Sequence, residues 1–349
     1  MNLVFAVLVL GILIMFHELG HFLAAKAVGV RVYEFAIGFG PKLFSWRRGE
    51  TDYSVRLLLL LGGFTRMAGM EPGEEGSHDP LDVGRKFNRK SVGQRSLVIL
   101  AGPLLNYVIA MLLFFLVFAA VGLHERVGDQ AVVWRVQPGQ PAALAGIEPG
   151  DRVLSVNGES VPDWDTMVGL VQGSLGKPLE IAVQRDGRTL NFRVTPAPNR
   201  LDPRLGMIGI EAQLRVVRFS VPEAAKMAIS QTVVMSGAWF SSIALMIQRK
   251  VSADLVGPVG IVRMVAQATA VGPAQLLSLA GALSVTLGII NLLPFPALDG
   301  GRLVFLLIER LRGRPLDPIR ENFIHFIGFA LLMLLALLIT FHDIQRLVA

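Results

Sequence analysis

The stretch LVLGILIMFHELGHFLAAKAVGV, Leu8 to Val30, decides how the chain is read. It is apolar over the length that crosses a bilayer, about 20 residues, yet it carries His17, Glu18 and His21. Ionisable side chains inside a membrane helix are costly and rare, and where they occur they mark a site. His-Glu-x-x-His on a helix puts residues i and i+4 on one face, so both imidazoles can address one metal while Glu18 reaches a metal-bound water. Zinc suits two imidazoles and a carboxylate, with a fourth position left for water. Haem ligation and a proton path are other uses of intramembrane His and Glu, and short motifs also arise by chance. Three costly groups at ligand spacing favour a metal.

Composition agrees with a membrane protein. Of 349 residues, 52% are hydrophobic and 17% charged, below the roughly 25% of soluble domains; mean hydropathy is +0.55. A net charge of +6 would allow a nucleic-acid partner. The basic residues, however, cluster beside apolar segments, which is membrane topology, so no nucleic acid is expected. The absence of cysteine excludes disulfides and Cys-ligated metals. No Lys or Arg precedes the first apolar run and polar residues interrupt it, so it reads as a retained helix rather than a cleaved signal peptide.

Four segments are expected to span: about Leu3–Ala25, Ser96–Val121, Leu276–Pro296 and Phe323–Phe341. Between the first two lie Arg47, Arg48, Arg85, Lys86, Arg89 and Lys90; between the last two lie Arg302, Arg310, Arg312, Arg314 and Arg320. The positive-inside rule puts both basic loops in the cytoplasm, and both termini and the long middle stretch outside. Ser220–Gln248 is apolar but carries Lys226, Ser236, Ser241 and Ser242; it is expected to lie in the interface as an amphipathic helix. The division implied is residues 1–125 and 276–349 as the membrane core, 126–200 as an inserted domain, and 201–275 as linker and interfacial helices.

The inserted domain has its own signature, VQPGQPAALAGIEPGDRVLSVNGESVPDWDTMVGLV, Val136 to Val171. Short β-rich runs alternate with turn signals such as Asn157-Gly158 and, further on, Asp186-Gly187. The Ala-Gly-Ile-x-Pro-Gly-Asp-x-Val-x-x-Val-Asn-Gly pattern resembles a single PDZ domain over about Asp129–Pro196. PDZ domains add an extended peptide to a sheet edge; a small β-domain without a peptide partner is the alternative.

A metal held by His17 and His21 needs a third ligand. The third apolar segment ends in NLLPFPALDGGR, Asn291 to Arg302, where Asp299 is the one carboxylate. Pro294 and Pro296 break the helix ahead of it, and non-helical backbone at membrane depth is tolerated only beside a protein-lined or watery cavity. A plain interfacial turn at Asp299-Gly300-Gly301 is the bland alternative. Topology offers an independent check. His17 lies about 14 residues, or about 21 Å, into the first helix, past the bilayer centre. Asp299 falls at the same, cytoplasmic end of the third segment, so the two can meet.

These residues resemble the site-2 proteases, zinc intramembrane metalloproteases, and most of all the bacterial regulator-of-sigma-E protease group. Also similar are Gly38-Phe39-Gly40-Pro41, Gly62-Gly63-Phe64, Ala101–Asn106 (AGPLLN) and Val256–Pro258. The best-known members carry two tandem PDZ domains; this chain has room for one. The resemblance implies Zn2+ on His17, His21 and Asp299, with Glu18 as catalytic base. It also implies that the loop Val30–Met70, containing YSVRLLLLLGGFTRM, dips into the membrane as a β-loop. Its apolar run is too short to span as a helix. A strand edge there, at Gly62, Gly63 and Phe64, can capture an unwound substrate by β-addition; a soluble hairpin is the alternative. Asn106 and Asn291 can orient substrate or oxyanion, or serve as interhelical glue.

The expected fold is thus an α-helical polytopic membrane protein with four transmembrane helices, a membrane-associated β-loop and one inserted α+β PDZ domain. The expected function is zinc-dependent endoproteolysis of the transmembrane segments of single-pass membrane proteins, such as anti-sigma factors or remnant signal peptides, in a bacterial cytoplasmic membrane. The rivals are a non-catalytic PDZ scaffold with a structural metal and a metal transporter. His78, His124, His325 and His342 are assigned no function.

Overall fold

The computed structural model describes residues 2–70, 84–199, 202–248 and 257–348; His78 and Val256 fall outside them. The chain forms two compact units, Gly122–Arg218 and a second composed of Met1–Val121 with Phe219–Ala349.

The chain opens with α1 (Asn2–Ala27), an almost wholly apolar helix. It stops at Gly29, whose φ of +71° is the left-handed conformation that a helix terminus favours. Two long antiparallel strands follow, β1 (Val32–Arg48) and β2 (Thr51–Met67). Each folds back on itself. Residues 32–37 pair with 63–67 on one side and with 52–55 on the other, while 44–48 pair with 51–55. Gly38, Gly40 and Gly62, all at positive φ, sit at the bends. The result is a single ribbon of four paired strand segments in which Gly63–Met67 is an edge. Phe39, Leu43, Phe44, Trp46, Leu57 and Leu58 are exposed on it. Its Gly49-Glu50 turn is tied to the end of α1 by Lys26 and to the segment after β2 by Arg85. The Arg85 guanidinium, helped by Lys26 and opposed by desolvation, holds the Glu50 carboxyl down at about 2.

Helix α2 (Val92–Leu116) starts on a Ser91/Gln94 capping box and ends in one turn of π-helix at Val117–Val121. Gly20 lets α1 lie directly on α2: a Cβ there would stand 2.2 Å from the Ala101 carbonyl oxygen.

The second unit, Gly122–Arg218, comprises β3 (Leu123–Arg126), β4 (Arg135–Val136), α3 (Pro141–Ala145), β5 (Arg152–Val156), β6 (Glu159–Ser160), α4 (Trp164–Gln172), β7 (Leu179–Arg185), β8 (Arg188–Val194), β9 (Ala197–Pro198), β10 (Gly206–Met207), β11 (Ile210–Glu211) and β12 (Leu214–Val217). An antiparallel sheet of order β6-β5-β7-β8 carries the core of Val153, Val156, Ile181 and Val183, closed by Trp164 and Met167 of α4. Asn157-Gly158 and Asp186-Gly187 make the tight turns that the sequence predicts, with φ positive at both residues of each pair. The unit is wider than residues 126–200. The strands β10, β11 and β12 return to pair with β9, β4 and β3.

The first unit resumes with α5 (Val221–Ile247), α6 (Pro258–Val271), α7 (Pro273–Leu292), α8 (Asp299–Arg312) and α9 (Pro318–Val348). Small residues again set the packing: Gly281 and Gly288 of α7 lie against Phe114 and Tyr107 of α2. The sequence predicts four helices long and apolar enough to cross a membrane. The described residues hold five by length and composition: Val4–Ala27, Val92–Val121, Val221–Met246, Pro273–Leu292 and Ile319–Asp343. The addition is α5. Its Thr232 and Ser236 donate their hydroxyl protons to carbonyls one turn back, at 2.9 and 2.8 Å, which masks their polarity.

Candidate metal centre

His17 and His21 project from one face of α1, both nearly buried, with ring centroids 4.8 Å apart. Their Nε2 atoms are 3.2 Å apart, and Asp299 Oδ2 lies 3.2 Å from the first and 3.3 Å from the second. Ligand atoms about 2.0–2.1 Å from a tetrahedral ion stand about 3.3 Å from each other. The three atoms therefore form one face of a zinc-sized tetrahedron. Asp299 Oδ2 is buried and accepts no hydrogen bond, an arrangement that costs free energy unless a cation completes it. Burial opposes ionisation of Asp299, but the imidazoles of His21 and His17 outweigh it and hold the carboxyl well below its usual range. The donor set, two imidazoles and a carboxylate, fits zinc.

Local sequence explains how Asp299 arrives. After α7 the chain runs through Pro294 and Pro296 to Ala297, held at φ +77°. The Ala297 amide donates to His325 Nδ1 at 2.8 Å, which braces the turn from α9. Asp299 then opens α8, so the segment is the start of a helix and not a plain turn. Gly300 and Gly301 are pressed against backbone; a Cβ on either would stand 2.2 and 2.4 Å from the carbonyl oxygens of Leu293 and Phe295.

Both imidazoles are oriented from α2. His21 Nδ1 donates to the Val98 carbonyl at 2.9 Å, which leaves Nε2 as the free lone pair. Gly102 makes the approach possible, since a Cβ there would stand 2.3 Å from His21 Nε2. Pro103, next to it, interrupts the hydrogen-bond ladder of α2 at this turn. His17 Nδ1 lies 3.2 Å from the carboxamide of Asn106, a fully buried residue whose own carbonyl accepts from Ser284 Oγ of α7 at 2.8 Å. Asn106 Oδ1 has no partner. Amide oxygen and nitrogen exchange places by a flip. With the oxygen turned towards His17, Asn106 accepts from His17 Nδ1–H, and His17 presents Nε2 as His21 does.

Glu18 stands beside this cluster and is not part of it. Its Oε2 accepts from Thr65 Oγ1 at 2.8 Å, and Thr65 also reaches the Glu18 carbonyl at 3.1 Å. Gly63 passes over the side chain, with its Cβ position 3.3 Å from Glu18 Cγ. Gly62, at φ +113°, lies near Ile14 and Phe39. Phe64 points to the opposite face, against Phe39 and under the Arg56 guanidinium, as strand alternation requires. Asn291 is elsewhere in its bonding: its amide donates to the Leu287 carbonyl of its own helix at 3.0 Å. Sequence reasoning missed Thr65, Ser284 and Val98. No spacing rule connects them to α1; only the proximity of Thr65 to Gly63 on one strand face gives a hint.

The second unit holds a separate feature, a groove of about 210 Å³ between α4 and β10–β11, lined by Trp164, Met167, Val171, Ile208 and Ile210 together with Gln137, Gln172 and Asn199.

Residues 5–335 match peptidase family M50. The chain is 33% identical over 414 residues to the zinc metalloprotease RasP of Geobacillus kaustophilus, covering 97% of each. It is 33% identical over 417 residues to the regulator of sigma-W protease RasP of Bacillus subtilis, covering 98% of this chain and 97% of the relative. The crystal structure of the PDZ domain of an SdrC-like protein from Listeria monocytogenes covers 25% of this chain and 92% of that one at 17% identity, with a TM-score of 0.22, too low to bear on the fold. The match to the family spans nearly the whole chain, and with it the residues that gather at α1, α2 and α8: this protein belongs to peptidase family M50, the site-2 proteases, and is a multi-pass zinc metalloprotease.

Proposed function

We propose that the chain cuts the transmembrane segments of single-pass proteins in a bacterial cytoplasmic membrane, with His17, His21 and Asp299 holding the zinc. One observation carries this reading: three buried ligand atoms mutually 3.2–3.3 Å apart. Zinc, when bound, lowers the pKa of a coordinated water to roughly 7 and polarises a peptide carbonyl. Glu18, steadied by Thr65, takes the proton of the attacking water and returns it to the leaving amine. Val98 and Asn106 fix the tautomers of the two imidazoles. The edge Gly63–Met67, running beside Glu18, receives the unwound substrate as an added strand. The exposed apolar side chains of the same ribbon face lipid.

The convergence of Asp299 with α1 also bears on topology. The ligands lie in the C-terminal half of α1 and just beyond the C-terminus of α7, so both helices run in the same direction. Helix α2 returns between them, so the chain between α2 and α7 crosses the membrane an even number of times. Helix α5 does not cross alone; it lies in the interface, or α6 brings the chain back. With both basic loops in the cytoplasm, the active site is towards the cytoplasm, and the termini and the Gly122–Arg218 unit are outside. That unit acts as a PDZ domain whose groove docks or filters the trimmed ectodomain of the substrate. The Bacillus subtilis relative is by name a regulator of sigma-W protease, which supports anti-sigma factors as substrates; remnant signal peptides share the same single-pass character.

The test compares purified wild type with Glu18→Gln on a model single-pass substrate. The variant should keep its zinc and lose turnover by about 10²–10⁴-fold, the range of a general base. No turnover by either protein would favour the scaffold or transporter readings, and full activity in Glu18→Gln would put the general base on another residue.

A further inference from the structure

A cavity of about 350 Å³ lies between the segment that follows β2 and the helices α2, α8 and α9. The metal site and its partners do not use it. Arg89, Arg95, Arg302, Glu309, Glu321 and His325 line it, together with Asn88 and Asn322. Arg95 is consumed by a bidentate pair with Glu309, one arm of which measures 3.0 Å. Arg89, Arg302 and Glu321 form no ion pair among the described residues. Three guanidiniums against two carboxylates leave one positive charge. His325 adds a neutral donor. Its Nδ1 accepts the Ala297 amide proton, so its own proton is on Nε2, which is buried without a partner.

The depth of the cavity says what fits it. Arg95 is in the first turn of the span Val92–Val121, and His325 is within the first two turns of the span Ile319–Asp343. The cavity is therefore level with the ends of two membrane helices, where lipid headgroups lie. Ile319, Phe323 and Phe326, on the same turns of α9 as Glu321, Asn322 and His325, are exposed and offer acyl chains an apolar surface. Basic pockets between spans at this level bind phosphate headgroups.

We propose that this cavity holds the phosphodiester of an anionic phospholipid, with Arg302, Arg89 and His325 Nε2–H as its donors. One negative charge balances the one left in the cavity. Glu321 repels the phosphate and sets a limit on affinity.

The full chain is reconstituted in bilayers of equal parts phosphatidylglycerol and phosphatidylcholine, released, and weighed by native mass spectrometry. Wild type should retain phosphatidylglycerol in preference to phosphatidylcholine. Arg302→Gln and Arg89→Gln should each reduce that retention about fivefold, and Glu321→Gln should increase it. Arg89 is remote in sequence from Asp299, so its variant remains informative should Arg302→Gln misfold. Equal retention of both lipids, retention unaffected by Arg89→Gln, or no gain in Glu321→Gln would overturn the proposal. So would complete displacement of the lipid by an excess of inorganic phosphate, which would make the cavity a site for the free anion.

Discussion

The metal centre and the groove of the Gly122–Arg218 unit serve tasks that need different precision. At the metal centre, three ligand atoms from helices far apart in sequence meet within 3.3 Å, and glycines at 20, 102, 300 and 301 are in places where a single methyl group would collide with backbone or ligand. The groove is lined by Trp164, Met167, Val171 and Ile208, which also belong to the unit's buried core, and by Ile210, Gln137, Gln172 and Asn199. Chemistry at a zinc ion needs atoms fixed to within a few tenths of an ångström. Selection among protein ectodomains needs an apolar surface of roughly the right shape. The contrast teaches where substitutions should be fatal and where they should merely change preference.

The largest effect should come from Gly102→Ala. The new methyl falls on His21 Nε2, so zinc affinity should drop by at least about 100-fold, beyond the range of outer-shell changes; competition against a graded chelator measures it. A change under threefold would mean that α2 yields freely, and the tight half of the comparison would fail. Asn106→Leu should come next. Without an acceptor for Nδ1–H, His17 loses its tautomer, and zinc affinity should weaken about 10–100-fold. If turnover falls while zinc affinity holds, Asn106 serves the oxyanion instead. The smallest effect should be Val168→Asp, at a partly buried residue that lines the groove. It should raise the KM of a substrate with a trimmed ectodomain about fivefold while leaving zinc affinity and the cleavage of a tail-less peptide unchanged. Equal loss on both substrates would join the groove to the catalytic machinery and erase the contrast.

The sequence disclosed these two regions unequally. His17, Glu18 and His21 were legible because ionisable groups stand out in an apolar helix. Asp299 was legible because two prolines ahead of a lone carboxylate mark broken backbone. The β-ribbon was legible because an apolar run bounded by glycines is too short for a spanning helix. By contrast, β10, β11 and β12 are two to four residues long, too short for alternation to register. The segment after Gly300 read as a basic loop because Arg302, Arg310 and Arg312 dominate it, although it forms the helix α8. Helix α5 was ambiguous because serine and threonine hydroxyls bonded to their own helix look polar in sequence and are not so in space. Thr65 lies 47 residues from Glu18, a separation that only the folded ribbon closes.

Zinc content tests the convergence most directly. The full chain, Asp299→Asn and Glu18→Gln are purified in parallel, dialysed against one chelator and assayed for metal. Wild type and Glu18→Gln should each keep one zinc per chain, while Asp299→Asn loses most of it. Full zinc retention by Asp299→Asn would contradict the account, because the third corner of the site would then lie on some other residue.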